Sequence, residues 1–316
     1  MHNNPITISS DDEINNDRDM SGANKEQSGE DEINILLAVV YHAQNFLNDD
    51  VVAITLKPVT NNPSSVEREY NILKQLEDGV GIPRALWFGR ESTYHALALD
   101  LLGPSLHKLF LACNHKFTLQ TVVNLGDQLL LHLEYIHSHG FVHGDIKPHN
   151  ILVDNLKQIT YVIDFGIAKK YWNTATQSHI PFRQGRYLTG IPTFASINNH
   201  LGLELGHCDD LESLAYMLIY FLHGSLAWLN SDHEKLSSSL ILERKVDTTI
   251  ADLCDGIPAA FANILVYLCS LSFLEDPDYD HLCSLLHDLC TAGPAPTTAL
   301  FGFQLSYHIF PSPSSL

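Results

Sequence analysis

The chain has 316 residues, 45% of them hydrophobic, which is enough apolar surface for a core larger than that of one small domain. Its formal net charge is −19 at pH 7, with 18 Lys and Arg against 37 Asp and Glu, so nucleic acids and anionic membrane surfaces are poor partners. The six cysteines form no Cys-x-x-Cys pair, and the N-terminus does not read as a signal segment. No apolar stretch approaches the length of a membrane span, which is about 20 residues. These features predict a soluble intracellular protein of the cytoplasm, the nucleus or both.

Residues 1–32 are predicted to form a disordered tail. They consist mostly of Asn, Asp, Ser and Glu, with nine acidic residues, two basic residues and only isolated apolar side chains. Such a segment buries too little apolar surface to offset the entropy that is lost on ordering.

Residues 33–102 are predicted to form a small strand-rich unit with one main helix. Residues 66–76 place apolar side chains at helical spacing, with acidic residues in the first turns. The unit ends at Leu102-Gly103-Pro104, which is incompatible with a helix and which we interpret as a hinge. Short apolar runs bounded by turn-forming residues predict strands at 35–41, 51–56, 85–88 and 95–100.

Residues 103–292 are predicted to be mainly helical, and residues 293–316 form a C-terminal extension. The segment 118–137 carries apolar residues on all sides, which is typical of a buried helix rather than a surface helix. Further helices are predicted at 210–222, 259–271 and 279–289.

Two motifs follow the first of these helices. His143-Gly144-Asp145-Ile146-Lys147-Pro148-His149-Asn150 is followed by Asp164-Phe165-Gly166, and both closely match the catalytic-loop and metal-binding motifs of protein kinases. The alternative is a chance pair of unrelated surface turns. The order and spacing of the motifs, and the strand-like Ile151-Leu152-Val153 and Tyr161-Val162-Ile163 beside them, argue against chance.

The matched residues have the chemistry that phosphoryl transfer requires: a base near the accepting hydroxyl, positive charge at the phosphates and oxygen ligands for Mg²⁺. The match implies that Asp145 is the base and that Lys147 neutralises the phosphoryl group transferred from ATP. Asn150 and Asp164 are then the Mg²⁺ ligands. A lysine two residues after the aspartate favours Ser or Thr over Tyr as the acceptor.

Other segments resemble the casein kinase I family. Protein kinases commonly close the activation segment with Ala-Pro-Glu, whereas casein kinase I enzymes have Ser-Ile-Asn, and this chain has Ser196-Ile197-Asn198. The resemblance covers residues 35–290. It implies a bilobal α+β kinase fold and a monomeric Ser/Thr protein kinase that acts on protein substrates. Further matching segments are Val80-Gly81-Ile82-Pro83, Leu101-Leu102-Gly103-Pro104-Ser105-Leu106, His179-Ile180-Pro181-Phe182-Arg183, Leu188-Thr189-Gly190 and Asp209-Asp210-Leu211-Glu212-Ser213-Leu214.

The resemblance also implies a nucleotide site. Glu69 matches the helix carboxylate that pairs with the phosphate-binding lysine, and Asp210 matches the residue that fixes the catalytic loop. The residues expected in the adenine-contacting hinge and the adenine slot are Asp100, Leu102, Ala53, Leu152 and Ile163.

The strand that should carry the phosphate-binding lysine departs from the family pattern. The family has Val-Ala-Ile-Lys, whereas this chain has Val52-Ala53-Ile54-Thr55. The neutral hydroxyl of Thr55 cannot replace an ammonium group electrostatically. Lys57 lies on the same strand face about 7 Å further along. Two interpretations are open: Lys57 reaches back towards Glu69 as a substitute, or it is a solvated surface residue.

The Gly-rich loop departs further. Its positions fall at residues 33–38, which contain no glycine, so backbone N–H groups there cannot approach the phosphates closely. An alternative is an incorrectly assembled gene product, which sequencing of the transcript across residues 1–60 would test. There are smaller departures as well: this chain has Gly144 where the family has an arginine, and Ile191 where the family has a hydroxyl residue. It also has Thr193 in place of an arginine that, together with Arg186, would help to recognise acidic or primed substrates.

Three functions are compatible with these residues: an active Ser/Thr protein kinase, a catalytically impaired pseudokinase that acts as a protein-binding scaffold, and a small-molecule phosphotransferase. The third is raised by His143-Gly144-Asp145. Lys147-Pro148 and Ser196-Ile197-Asn198 argue against it, because they resemble the peptide-binding half of protein kinases.

Overall fold

The computed structural model describes residues 6–14, 39–45, 51–59, 64–90, 93–154, 158–173, 176–229 and 236–290. Within these ranges a strand-rich unit with one helix precedes a larger helical unit, which confirms the predicted α+β class. The predicted C-terminal extension and the segment 33–38, which was matched to the Gly-rich loop, lie outside the described residues. No helix in the described ranges is long and apolar enough to cross a membrane.

The first unit is built on an antiparallel sheet. Its strands are β1 (Ile6–Ile14), β2 (Val39–Asn45), β3 (Val51–Pro58), β4 (Ala85–Arg90) and β5 (Tyr94–Asp100). Their order across the sheet is β1-β2-β3-β5-β4. Strands β3, β4 and β5 agree with the predicted strands within a few residues, whereas β2 begins and ends four residues later than the predicted strand at 35–41.

Alternation along β3 determines which of its residues face the main core and which face the other side of the sheet. Val52 and Ile54 are buried on one face, so Thr55 and Lys57 of the opposite parity both point to the other face. Thr55 is paired with Leu97 of β5, and Leu97 is fully buried in the main hydrophobic core. The position that matches the family lysine therefore faces that core and not the outer surface of the sheet.

Strand β1 differs from the predicted disordered tail. The backbone of Ile6–Ile14 pairs with β2, with an irregular register between Ile8 and Glu13. The physical reason is that an edge strand can be held by its backbone hydrogen bonds alone. Such a strand needs no run of apolar side chains, so the sequence carries no signal for it. The rest of the predicted tail lies outside the described residues.

Helix α1 (Ser65–Gln75) covers the inner face of this sheet. It begins after Ser64, whose Oγ accepts the backbone N–H of Glu67 at 3.3 Å. Its buried apolar side chains join the core that continues into the helical unit. The helix contacts β4, β5 and the short turn Phe165–Ile167, so it links the sheet to the predicted metal-binding motif.

The second unit is mainly helical, and it confirms the helices predicted near 118–137, 210–222, 259–271 and 279–289. Its helices are α2 (Leu106–Ala112), α3 (Leu119–Ser138), α4 (Ile197–His200), α5 (His207–His223), α6 (Ser238–Asp247), α7 (Ile250–Leu253), α8 (Ala259–Ser270) and α9 (Tyr279–Cys290). Three antiparallel strand pairs lie beside them: β6 (Phe141–Val142) with β9 (Lys169–Lys170), β7 (Ile151–Asp154) with β8 (Ile159–Val162), and β10 (Trp172–Asn173) with β11 (Ser178–His179).

Helix α3 is the buried centre of this unit. It packs against α5 and α9, and a Cβ added at Gly126 would lie only 2.7 Å from Cδ1 of Leu286 in α9. Glycine therefore lets α3 and α9 pack closely here without moving the Leu286 side chain, which explains why a residue with low helix propensity is tolerated.

Candidate active site

The backbone of the catalytic loop is hydrogen-bonded to the carboxylate of Asp210 in α5. This carboxylate accepts the backbone N–H of His143 at 2.7 Å, the backbone N–H of Gly144 at 2.7 Å and a hydrogen bond with His137 Nε2 at 2.9 Å. Burial by itself raises the pKa of Asp210, but the hydrogen bond and charge of His137 outweigh burial and hold the pKa below its usual value. The role that the resemblance implied for Asp210 is therefore geometrically present.

Asp145 lies at the centre of a cluster of buried polar groups. Lys147 Nζ donates to Asp145 Oδ2 at 2.5 Å, and Asn150 Nδ2 donates to the same oxygen at 3.0 Å and to the Asp145 carbonyl at 2.9 Å. Lys147 and Asn150 are both buried. The structure thus brings together three of the four residues that were predicted for the chemical step and for metal binding.

Ile191 also contacts Asp145, although it lacks the hydroxyl expected at that position. Its backbone N–H donates to Asp145 Oδ1 at 3.3 Å. Gly190, at φ +74°, lies so close that an added Cβ would be 2.3 Å from the same oxygen. The backbone therefore occupies the space around the carboxylate that a hydroxyl side chain would otherwise share.

The Asp164-Phe165-Gly166 motif is joined to the catalytic loop through His143. His143 Nε2 lies 3.0 Å from the carbonyl oxygen of Ile163, and its ring makes an edge contact with the ring of Phe165 at 4.9 Å between centroids. Phe165 is fully buried. Asp164 has a left-handed backbone conformation, with φ 67°, which turns the chain sharply at the predicted metal ligand.

Glu69 of α1 faces this motif from the other side. Its carboxylate accepts hydrogen bonds from the backbone of Phe165 and Asp164. Burial, and after it the negative charge of Asp164, raises the pKa of Glu69 to about 8, while the charge of Lys57 acts in the opposite direction. Two carboxylates thus face each other where the family pattern places a lysine between strand and helix.

Lys57 lies at the start of α1. Its Nζ donates to Ser65 Oγ at 3.0 Å, and Ser65 is the first residue of the helix, one turn before Glu69. Lys57 is partly buried and is paired with His95 of β5. Its position agrees with neither interpretation completely: its charge acts on Glu69, but its hydrogen bond is to a hydroxyl one turn away.

The predicted adenine-site residues lie at the junction of the two units. Ala53, Leu152 and Ile163 are partly buried. The hinge is joined to β7 by a hydrogen bond from the backbone N–H of Val153 to the Pro104 carbonyl at 3.1 Å, and by a β-bridge between Ser105 and Leu152. Leu102 is partly exposed within this hinge.

The carboxylate of Asp100 forms an ion pair with Arg84. The guanidinium donates to both oxygens at 2.8–3.1 Å, and the Arg84 backbone N–H adds a further bond at 3.0 Å. The side chain of Asp100 is therefore turned towards Arg84, so a contact from this residue to adenine would come from its backbone.

Sequence reasoning missed Glu204, which organises the activation segment. This fully buried carboxylate receives Lys169 Nζ at 2.5 Å and Arg186 Nη2 at 2.7 Å. Burial acts to raise its pKa, but the two cations outweigh burial and lower it. Arg186, the one retained member of the basic set that the resemblance implies for acidic or primed substrates, thus has an internal partner. The spacing of these residues along the chain contains no signal for their contact.

The oxygen donors at Asn150 and Asp164 suit Mg²⁺. Because Asn150 uses its Nδ2 to donate to Asp145, its side-chain oxygen is the atom left to bind a cation. Among the described residues no group of three or more His, Cys, Asp or Glu side chains is arranged to hold a metal ion. Mg²⁺ commonly binds through one or two protein oxygens plus substrate phosphates, so this sparse set fits a metal that arrives with ATP.

Comparison with known families agrees with this geometry. The family model for the protein kinase domain matches residues 37–257. The matched range contains the predicted catalytic, metal-binding and adenine-site residues and most of the two units described above. The chain belongs to the protein kinase domain family.

Proposed function

We propose that this chain is an ATP-dependent Ser/Thr protein kinase of the casein kinase I type, which transfers the γ-phosphate to protein Ser or Thr with weakened binding of the nucleotide phosphates. The observation that carries the proposal is the Asp145 cluster. Its carboxylate lies 2.5 Å from Lys147 Nζ and 3.0 Å from Asn150 Nδ2, on a loop fixed by the buried Asp210. Groups held in place before the reaction are what phosphoryl transfer requires from a protein.

Each residue then has a defined task. Asp145 accepts the proton of the substrate hydroxyl, and Lys147 stabilises negative charge on the transferring phosphoryl group. Asn150 and Asp164 would hold Mg²⁺, which when bound supplies positive charge to the phosphate oxygens. His143 orients the motif that carries Asp164 through its contact with the Ile163 carbonyl.

The small unit supports weakened phosphate binding. Thr55 occupies the lysine position on the inner face of β3, and the nearest replacement, Lys57, is hydrogen-bonded to Ser65. A phosphate that loses one preorganised cation in a site shielded from water loses a large electrostatic contribution. We therefore expect slow turnover that is limited by the position of the nucleotide.

The second candidate function is a catalytically impaired pseudokinase that binds proteins as a scaffold. The observation that favours it is Glu69, which faces Asp164 and whose pKa is raised to about 8. Without a lysine between them, Asp164 keeps its negative charge while Glu69 is largely protonated at neutral pH, so this side of the site offers no cation to the ATP phosphates.

Calorimetry of Mg²⁺-ATP binding, followed by a transfer assay with a casein-like peptide, separates the two functions. The kinase proposal expects binding that depends on Mg²⁺ and slow transfer that Asp145→Asn abolishes. Binding without transfer, after all conditions are matched to an active control kinase, supports the scaffold. Transfer that survives Asp145→Asn would show that a contaminating kinase is responsible.

A further inference from the structure

The loop formed by residues 191–195 joins the catalytic aspartate to Ser196-Ile197-Asn198. At one end, the Ile191 N–H donates to Asp145 Oδ1 at 3.3 Å. At the other end, the backbone N–H groups of Phe194 and Ala195 both donate to the Ile191 carbonyl at 3.2 Å. The loop is therefore a tight turn, so a shift at residue 195 is transmitted to the N–H that meets the catalytic carboxylate.

Lys245 of α6 contacts this turn. Its Nζ donates to the carbonyl of Ala195 at 2.5 Å and to the carbonyl of Pro192 at 3.0 Å. The ammonium group lies 4.8 Å from the ring centroid of Tyr216 and 4.9 Å from that of Trp228, within the range of cation–π attraction. Lys245 is only 4% exposed, so its amino group lies within the protein and is not a solvated surface charge.

Two other side chains contact carbonyls of the same turn. Trp228 Nε1 donates to the Thr193 carbonyl at 2.9 Å, and His200 Nε2 lies 2.9 Å from the Pro192 carbonyl. The carbonyls of Pro192, Thr193 and Ala195 are thus all hydrogen-bonded by side chains from outside the turn. Lys245 is the member of this group that bonds to two of them.

A buried ammonium group is an expensive way to fill this space. Removing a charge from water costs more free energy than packing a methionine of similar length against Tyr216 and Trp228. The titratable groups around it are Glu212 and Tyr216 of α5 and His200 of α4, and Cys269 of α8 acts on Glu212 and Tyr216. Of these, Glu212 stabilises the charged form of Lys245. The two hydrogen bonds from its Nζ to carbonyls of the turn are a contact that an apolar side chain of the same length could not make.

We propose that Lys245 is a positioning residue for phosphoryl transfer, which fixes the loop 191–195 so that the Ile191 N–H meets Asp145 and the acceptor segment of the substrate lies in register with it. This inference rests on the proposed kinase function for its effect on rate. The effect on loop geometry is independent of that function. Lys245 touches no reacting atom and acts through the turn.

The kinetic test compares Lys245→Met with Lys116→Met, which replaces an exposed lysine of the α2–α3 connection. We expect Lys245→Met to lower kcat for a casein-like peptide by about tenfold or more, while the KM for Mg²⁺-ATP stays within about twofold of the wild-type value. Lys116→Met should change neither. Lys245→Gln keeps N–H donors and should recover part of the lost rate, and it replaces Lys245→Met if that variant does not fold. A wild-type kcat in Lys245→Met overturns the proposal.

Two further measurements need no turnover. Trp87→Phe with Trp172→Phe leaves Trp228 as the remaining one of three tryptophans. Because burial lowers the pKa of Lys245 to about 7, the fluorescence of Trp228 should titrate near that pH, and Lys245→Met should abolish the titration. Hydrogen exchange at the Ile191 amide should become faster in Lys245→Met. Unchanged exchange, or a titration that survives in Lys245→Met, overturns the proposal.

These measurements separate the two proposals. A wild-type protein that transfers no phosphate but shows the expected fluorescence and exchange counts against the proposed function and supports the position of Lys245. A protein that transfers phosphate equally well with and without Lys245 supports the proposed kinase function and contradicts the positioning role of Lys245.

Discussion

The two sides of the active site differ in how completely their polar groups are paired. In the helical unit, Asp210 binds two backbone N–H groups, and Asp145 is surrounded by Lys147, Asn150 and the Ile191 N–H. In the strand-rich unit, Glu69 has a pKa raised to about 8 beside another carboxylate, and Thr55 supplies no charge. The comparison teaches that the groups proposed for proton transfer can be kept fully hydrogen-bonded while a group expected for phosphate binding is missing, because the two sets lie on different elements of one continuous core.

The paired side should be the more sensitive to mutation. Asp210→Ala leaves the N–H groups of His143 and Gly144 without their acceptor and removes the partner of His137 Nε2, while His137 Nδ1 keeps its contact with the Tyr279 hydroxyl. We expect a loss of about 3–5 kcal/mol in the free energy of unfolding and no detectable transfer. Urea denaturation checks the stability, with the exposed Asp255→Ala as the matched control. A loss no larger than that of the control would mean that Asp210 does not hold the loop.

At the boundary between the two sides, Asp164→Asn removes the proposed charged ligand of Mg²⁺. We expect the Mg²⁺-dependent part of ATP affinity to fall by about 100-fold, in line with the roughly 2–3 kcal/mol of a lost charged contact. Calorimetry with and without Mg²⁺ measures it. If the affinity is the same in both proteins and both conditions, Asp164 does not bind a metal that carries nucleotide.

The side that lacks the family lysine should instead be open to improvement. Thr55→Lys places an ammonium group on the inner face of β3, two residues nearer the hinge than Lys57, and should raise the transfer rate by about tenfold, because one placed cation contributes on the order of 1–2 kcal/mol. Grafting a Gly-rich loop at residues 33–38 should add to the gain. Asp145→Asn should erase it.

Lys57→Met tests the remaining cation in the same assay. A severe loss of rate supports Lys57 as the substitute for the missing lysine, whereas equal rates in wild type and Lys57→Met exclude that role. If the repaired protein binds Mg²⁺-ATP well and still transfers nothing, the helical unit is itself incompetent, and Gly144 and Ile191 become the residues to restore.

The sequence predicted those features that depend on local pattern or on motif spacing. The helix at 118–137 was predicted from its apolar pattern, and the pairing of Asp210 with the catalytic loop was implied by the family resemblance; the structure contains both. The hydrogen bond of Lys57 to Ser65 joins residues eight apart in sequence across a strand-to-helix connection. Its existence depends on the exact placement of α1, which no sequence pattern specifies.

Contacts between segments that are far apart in the sequence could not be predicted from it. Lys245 meets the Ala195 carbonyl across 50 residues of sequence, and Glu204 meets Lys169 across 35. Each of these charged residues, taken alone, is indistinguishable in sequence from a solvated surface charge. Strand β1 was missed for a related reason, since its partner β2 is distant in sequence and backbone pairing makes no demand on side-chain pattern.

The pH dependence of stability gives the finest test of the difference between the two sides. Burial and Asp164 raise the pKa of Glu69 from 4.5 to about 8, so between these values the folded protein holds a proton that the unfolded chain releases. The contribution of Glu69 to stability is therefore complete below about pH 4.5 and is lost as pH rises through about 8, with a slope of at most about 1.4 kcal/mol per pH unit.

Other groups act in the opposite direction at lower pH. Burial lowers the pKa of His132 to about 4 and that of His207 to about 3, so these histidines favour the folded state more strongly as pH rises towards 6.5. The contribution of Glu69 is consequently best isolated between about pH 6.5 and pH 8, as the difference between wild type and Glu69→Gln, which cannot titrate.

We expect Glu69→Gln to become more stable relative to wild type as pH rises across that window, by about 1 kcal/mol, when urea denaturation is measured in metal-free buffer. Thr55→Lys should reduce the same pH dependence, because an ammonium group near Glu69 favours its charged form and lowers its pKa. Parallel stability curves for wild type and Glu69→Gln would mean that Glu69 is already ionised at neutral pH. The charge of Lys57 would then compensate for the missing lysine, and the two sides of the site would be more alike in their pairing than the positions of Thr55 and Asp164 indicate.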